Sequence, residues 1–209
     1  MVTPRARDPR RTRQRILTAA LEEFSARGFA GARVDRIARR ARANKRMLYH
    51  YFRDKEGLFR AILRFKLAQR SVWLARDPGD PERSLPYWFD RVVHDVNWVR
   101  LMQWEALEAG DGPVIGEEER RAAVASSLDW VRARQSEGSL PRTLDARQLM
   151  LALAGLTTFP VAFPQITRLV TGHLPAAAAF HRKRVEFLRG FARTLAANGT
   201  RRRPAELHA

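Results

Sequence analysis

The chain of 209 residues contains no cysteine, which excludes disulfide staples, thiolate metal sites and cysteine nucleophiles together. It lacks any run of about 18 apolar residues, the length that a membrane-crossing helix requires. The Arg-rich stretch from Met1 to Arg15 has no apolar segment of the kind a secretory signal needs. A cytoplasmic protein with no membrane partner is the expectation. No stretch combines sustained period-2 alternation with hairpin dipeptides, so an all-α fold is expected. Signatures of catalysis are missing as well: there is no Gly-x-Ser-x-Gly, no phosphate-loop pattern and no HExxH. Gly110-x-Gly112 is followed by Ile115 where a dinucleotide fingerprint needs a third glycine. The chain therefore reads as a non-enzyme that needs no cofactor.

Acidic residues are scarce in one place. Residues 1–55 hold 16 Lys+Arg against 5 Asp+Glu, a net of +11, whereas residues 56–209 hold 23 against 17, a net of +6. Only 4 of the 39 basic residues are lysine, and a codon bias toward Arg would inflate the count everywhere, but it would not produce the asymmetry. A basic block on a nearly balanced body is the footprint of a polyanion-binding module, because neutralising phosphates releases counterions.

Helical periodicity organises the rest. Asp8-Pro9 supplies an N-cap and a proline at the first helical position. Ile16, Leu17, Ala20, Leu21 and Phe24 form one apolar face, and Gly28 is placed to end that helix. Val34, Ile37, Ala38 and Ala41 then mark a short helix, followed after three non-periodic residues by a second one carrying Leu48 and Phe52. Asp54 caps a longer helix over about 55–73, which the cluster Asp77-Pro78-Gly79-Asp80-Pro81 ends. Beyond it, helices are expected over about 82–97, 98–109, 116–137, 144–171 and 175–197, with Pro160 and Pro164 bending the fourth. Residues 200–209, with Arg201-Arg202-Arg203 and Pro204, read as a disordered tail.

The two short helices fit helix-turn-helix geometry: small Ala38 and Ala41 allow a close crossing, and Ile37, Leu48 and Phe52 pin the pair onto Leu21 and Phe24. That arrangement turns Asn44-Lys45-Arg46 outward at the start of the second helix, where a major groove is read. Periodicity and charge alone leave two readings open, a nucleic-acid-binding head or an Arg-biased bundle with a solvated face.

The residues themselves narrow the choice. ILTAALEEF at 16–24, Gly28-Phe29, VDRIARRA at 34–41, LYHYF at 48–52, then Lys55-Glu56 and Leu58, resemble in order and spacing the DNA-binding domain of the TetR family of bacterial transcriptional regulators. The resemblance implies an N-terminal helix-turn-helix domain, taken as residues 1–54, joined to a helical ligand-binding and dimerisation domain over 55–199. It implies that Lys45 and Arg46 read base edges, that Asn44 caps the recognition helix or touches phosphate, and that Tyr49 contacts the DNA backbone through its hydroxyl. Tyr51 and His50 are expected to act likewise, Lys55 to grip a phosphate, and Arg33 to belong to the same DNA-contacting set. Three positions depart from the family pattern. Ala32-Arg33 replaces a pair of hydroxyl residues, removing a cap typically worth about 1 kcal/mol. Arg42 replaces a usual glycine, at a cost of roughly 1–2 kcal/mol if the backbone is left-handed there. Arg46 replaces a small residue with a bidentate donor suited to guanine, so guanine is expected in the half-site.

In that family the C-terminal helices pair two subunits. Phe180, Phe187, Leu188, Phe191 and Leu195 form a stripe at helical spacing that would serve a homodimer built on the last two long helices. The inducer pocket is less legible. Trp98, Met102, Trp104 and Phe163 are taken from an aromatic and thioether supply that also includes Trp88, Phe89, Trp130 and Phe159, and His94, Asn97 and Thr158 from the polar groups set on apolar stretches. Asp90 and His94 stand at i, i+4, which suits a helix salt bridge and is too few ligands for a metal site. The whole reads as a homodimeric, inducer-released repressor of a pseudo-palindromic operator, with an enzyme whose basic module is incidental and an architectural DNA binder lacking a pocket as the alternatives.

Overall fold

The computed structural model describes residues 8–199, and among them are ten helices and no strand; the tail expected at 200–209 lies outside the described residues. The helices are α1 (Pro9–Gly31), α2 (Val34–Arg40), α3 (Lys45–Phe52), α4 (Lys55–Ala75), α5 (Pro81–Val93), α6 (Val96–Ala109), α7 (Glu117–Ser136), α8 (Ala146–Ala162), α9 (Pro164–Thr171) and α10 (Ala178–Gly199). They divide into two compact units. One holds the chain up to Ser71 together with Asn97–Arg121, and the other holds Val72–Val96 and the chain from Ala122 onward. The division does not follow a single cut at residue 54. Leu58, Phe59 and Ile62 of α4 and Leu101 of α6 are buried in one core with α1, α2 and α3, so the reading head's hydrophobic surface is closed by helices lying far apart in sequence.

In the first unit, Asp8 caps α1 by accepting the Arg10 N–H at 2.9 Å, with Pro9 in the first turn. Gly28 kinks the helix without ending it. Its backbone (φ 70°, ψ 179°) is open only to glycine, and helical geometry resumes as far as Gly31. The cap that Ala32-Arg33 cannot supply comes from elsewhere. Buried Glu23 on α1 accepts the Arg33 N–H at 3.3 Å and pairs with Arg36 at 3.3 Å, which satisfies an orphan donor at the start of α2. The turn to α3 passes through Arg42, whose φ of 49° is left-handed. Replacing Arg42 with glycine should relieve that strain and, net of glycine's greater unfolded-state entropy, stabilise the protein by about 0.5–1 kcal/mol. A thermal melt should show a midpoint raised by about 1–4 °C, and no rise would mean the strain is absorbed by the turn.

The second unit packs α5 against α8 and α10, with Leu85, Phe89 and Val92 meeting Leu149, Leu153, Val161, Phe180, Leu188 and Ala192 in its buried interior. The helix expected over 144–171 is two helices, α8 and α9, which meet at 88°. Each of its prolines deletes a backbone donor and so leaves a carbonyl four residues back without its helical partner. Pro160 frees the Leu156 carbonyl, to which Arg184 of α10 donates at 2.5 Å, and α8 continues through. Pro164 frees the Pro160 carbonyl, which the Thr167 hydroxyl satisfies at 3.0 Å, while Phe163 leaves helical geometry (φ −123°, ψ 67°) and the chain turns. No single described helix is long and apolar enough to cross a membrane.

The linker at 77–81 does more than stop a helix. Asp77 Oδ1 accepts from the Gly79 N–H (2.8 Å), the Ser84 hydroxyl (2.6 Å) and the Trp130 indole (3.0 Å), and Oδ2 accepts from the Trp88 indole (2.7 Å). Trp88 and Trp130, two of the aromatics considered for a pocket, are therefore spokes of a carboxylate hub.

Candidate nucleic-acid interface

The outward face of the reading head is built from the start of α3. Asn44 adopts extended geometry, and its side chain accepts the Met47 N–H at 2.8 Å, a true N-cap that leaves the following residues to point away from the core. Leu48 and Phe52 on the opposite face are buried, so α3 is held rigidly with Lys45, Arg46, Tyr49 and His50 exposed. Arg33 is exposed at the N-cap of α2, and Asn44 is exposed as well. Tyr49 is 44% exposed, which frees its hydroxyl, whereas Tyr51 is half-buried and packs on the core. The His50 ring stands edge-on to Tyr51 at 5.5 Å. Lys55 is half-buried and engaged: its ammonium donates to the Ala30 carbonyl at 3.1 Å and stands 4.9 Å above the Phe29 ring. It braces α1 against α4, with two donors left over for a phosphate.

One feature of this face is not evident in the sequence. Lys45 pairs with Asp35 of α2 at 3.0 Å, and both side chains are more than half exposed. The hydrogen bond that Lys45 donates to Asp35, and then the Asp35 charge, hold the Lys45 pKa above the ordinary lysine value, so Lys45 is cationic at neutral pH. Asp35 thereby masks one positive charge at the recognition helix. Asp35→Asn should leave the fold intact and strengthen DNA binding at low salt, because it removes a carboxylate that repels the polyanion and releases the Lys45 ammonium for a base edge. Fluorescence anisotropy on a labelled duplex at several salt concentrations checks it, and an unchanged low-salt affinity would mean that Asp35 does not restrain Lys45.

The residues expected around an inducer fall in both units. Asn97, Trp98, Met102 and Trp104 belong to the first unit, and His94, Thr158 and Phe163 to the second. The Asn97 side-chain carbonyl accepts the Ser25 hydroxyl at 3.2 Å, while Trp98 and Met102 pack on the reading-head core. Within the second unit, Phe163 is exposed with its ring tilted against that of Phe159 at 5.1 Å, and Thr158 is half-buried. His94 ends α5 with its ring nitrogen 2.7 Å from the Asp90 carbonyl. The Asp90 carboxylate lies 3.5 Å from His94 and 3.4 Å from His181. Among the described residues no group of three or more His, Asp or Glu is placed to hold a metal ion. Of the stripe on α10, Phe180 and Leu188 are core, and Phe187 is 48% exposed.

A basic, exposed recognition helix on a buried three-helix core, carried by a larger helical body, is the architecture of a helix-turn-helix transcriptional regulator. Comparison with known proteins agrees. Residues 16–62 match the family model for bacterial regulatory proteins of the tetR family, and residues 87–193 match the tetracyclin repressor-like C-terminal domain. The chain is 36% identical over 167 residues to the HTH-type transcriptional repressor SCO4008 of Streptomyces coelicolor, covering 80% of this chain and 87% of that protein. It is 37% identical over 113 residues to the HTH-type transcriptional repressor NicS of Pseudomonas putida, covering 51% and 53%. The fold matches the transcriptional regulator SCO4942 from Streptomyces coelicolor with a TM-score of 0.72 at 30% identity, over 86% of this chain and 97% of that one. It also matches the fold of FadR from Bacillus subtilis, solved with stearoyl-CoA, with a TM-score of 0.62 at 19% identity over 84% and 96%. The chain belongs to the TetR family, and it is a DNA-binding transcriptional repressor.

Proposed function

We propose that the protein works as a homodimer on a pseudo-palindromic operator and leaves it when a small-molecule inducer binds. In this reading residues 1–54 read DNA and 55–199 take the partner and the ligand. It acts where the DNA is, in the cytoplasm, and by binding alone. The observation that carries the proposal is the pre-formed reading edge: Asn44 caps α3, and Lys45, Arg46, Tyr49 and Arg33 all stand exposed. Lys45 and Arg46 reach base edges, and Arg46 selects guanine through O6 and N7. Arg33, Tyr49 and His50 hold the backbone, with Tyr51 and Lys55 supporting from the partly buried side. A two-fold assembly places two such helices about 34–36 Å apart, one turn of DNA, which makes the operator an inverted repeat.

The partner surface lies on the second unit. Leu151 and Phe159 of α8, Ile166, Leu169 and Val170 of α9 and Phe187 of α10 are all 46% or more exposed. A face this apolar on helices whose other sides are core calls for cover by a second copy. Inducer binding favours the DNA-incompetent state, so operator DNA weakens inducer binding by the same factor.

The test is to incubate the protein with sheared DNA from its own source at physiological salt and sequence what is retained. Recovery of a few fragments sharing an inverted repeat is expected, and Arg46→Ala should shift the preferred bases without a large change in salt dependence. Diffuse recovery that vanishes with added salt would overturn the repressor reading in favour of an architectural binder.

A further inference from the structure

The first unit contains a cleft of about 270 Å³ whose wall includes one of the inducer candidates, Trp104. It is walled by the end of α1, α4, α6 and the loop after α6, all within that unit. Phe29, Phe59 and Trp104 supply three ring faces, Leu101, Val114 and Ile115 most of the remaining apolar wall, and Trp104 is 37% exposed. In a chain with 39 Lys+Arg, no basic side chain lines this cleft, and its only ionisable groups are Glu105 and Glu108. The two carboxylates are differently placed. Glu105 is neutralised by a bidentate pair with Arg120, at 2.7 and 2.8 Å. Glu108 meets two uncharged donors, the backbone N–H groups of Phe29 and Ala30, each at 3.2 Å.

We propose that this cleft binds a small apolar amine, an aromatic or short alkyl group carrying one ammonium, with the apolar part among Phe29, Phe59 and Trp104 and the ammonium on Glu108. The volume suits it, since a cavity of about 150 Å³ already takes a benzene ring, and the remainder admits a two-carbon arm. The chemistry suits it as well. Each Glu108 oxygen has an acceptor site left after its amide bond, and an ammonium near an indole face gains from the ring quadrupole. An anionic ligand would face the unneutralised Glu108 carboxylate, with no basic residue in the wall.

Occupancy of the cleft bears on DNA, and this step rests on the repressor reading above. The two amides that Glu108 holds lie just past the Gly28 kink and just before Arg33, where α2 begins. An ammonium that draws the carboxylate toward itself loosens the hold of α6 on the end of α1, so the amine acts as an effector of the reading head.

Calorimetric titration of the full chain with 2-phenylethylammonium, 2-phenylethanol and phenylacetate, without DNA, tests the site. Binding of the ammonium at least about tenfold tighter than phenylacetate is expected. Glu108→Gln keeps an acceptor for the backbone and removes the charge; it should weaken the ammonium about tenfold and leave 2-phenylethanol within about twofold. Ala109→Phe, which fills the cleft, should abolish binding of both. Equal affinity for phenylacetate, or an ammonium affinity unchanged by Glu108→Gln, overturns the site. Operator retention without any amine reads the repressor reading separately. With that retention in place, operator affinity unmoved by saturating 2-phenylethylammonium overturns the effector role.

Discussion

Asp77→Ala is expected to destabilise the second unit by about 3–4 kcal/mol. The carboxylate is the common acceptor of the Gly79 amide, the Ser84 hydroxyl and the Trp88 and Trp130 indoles. Truncation takes this acceptor from all four donors together. Ser84 is 0% exposed, and the two indoles sit partly buried where water re-enters poorly. A donor left unsatisfied costs about 1–3 kcal/mol when fully buried and less when water can reach it, which sets the total. The loss propagates: Arg134 donates to the Gly79 carbonyl at 2.6 Å and stacks on Trp130, so the linker loses its brace on α7 as well. Asp77→Asn keeps a carbonyl oxygen and should cost about half as much. Urea unfolding followed by tryptophan fluorescence measures both. A cost below about 1 kcal/mol for the alanine would show that water replaces the carboxylate at no great penalty.

That hub marks a limit of what sequence discloses. Asp77-Pro78-Gly79-Asp80-Pro81 announces the end of α4 by local chemistry alone, and so it does. The partner Trp130 lies 53 residues away, and no periodicity relates the two. Glu23 is a similar case: its place on the polar side of α1 in the sequence gives no sign that it caps α2, because the contact exists only once the helices cross. The recognition helix was legible because its determinants are local, namely an Asn cap, a two-residue apolar stripe and basic residues between them. Pro160 and Pro164 were visible as breaks, yet which of them turns the chain depended on partners elsewhere, Arg184 for the first carbonyl and Thr167 for the second. The inducer candidates were the least legible for the same reason. Helical position identifies the apolar residues of α6, but only packing decides that Trp98 and Met102 close the reading-head core while Trp104 opens onto a cleft.

Leu169→Glu, alone or with Phe159→Glu, is expected to turn a dimer into a monomer and to weaken operator binding by about 100-fold or more. Leu169 is 77% and Phe159 50% exposed in the single chain, so a charge there costs the monomer's fold little. In a two-fold interface each copy presents the same patch, and one substitution places two carboxylates on the desolvated seam. The effect on DNA follows from linkage. Once one half-site is bound, the second reading head meets its half-site at an effective concentration set by the dimer, an advantage of about 10²–10⁴ that a monomer forgoes. The non-specific, salt-sensitive part of binding should survive in each head, because Arg33, Lys45 and Arg46 are untouched. Sedimentation or light scattering reads the assembly, and anisotropy on one and two half-sites reads the DNA. A variant that stays dimeric would move the partner surface off α8 and α9. A monomer that still binds the full operator at parental affinity would show instead that the two heads assemble on DNA through contacts made there.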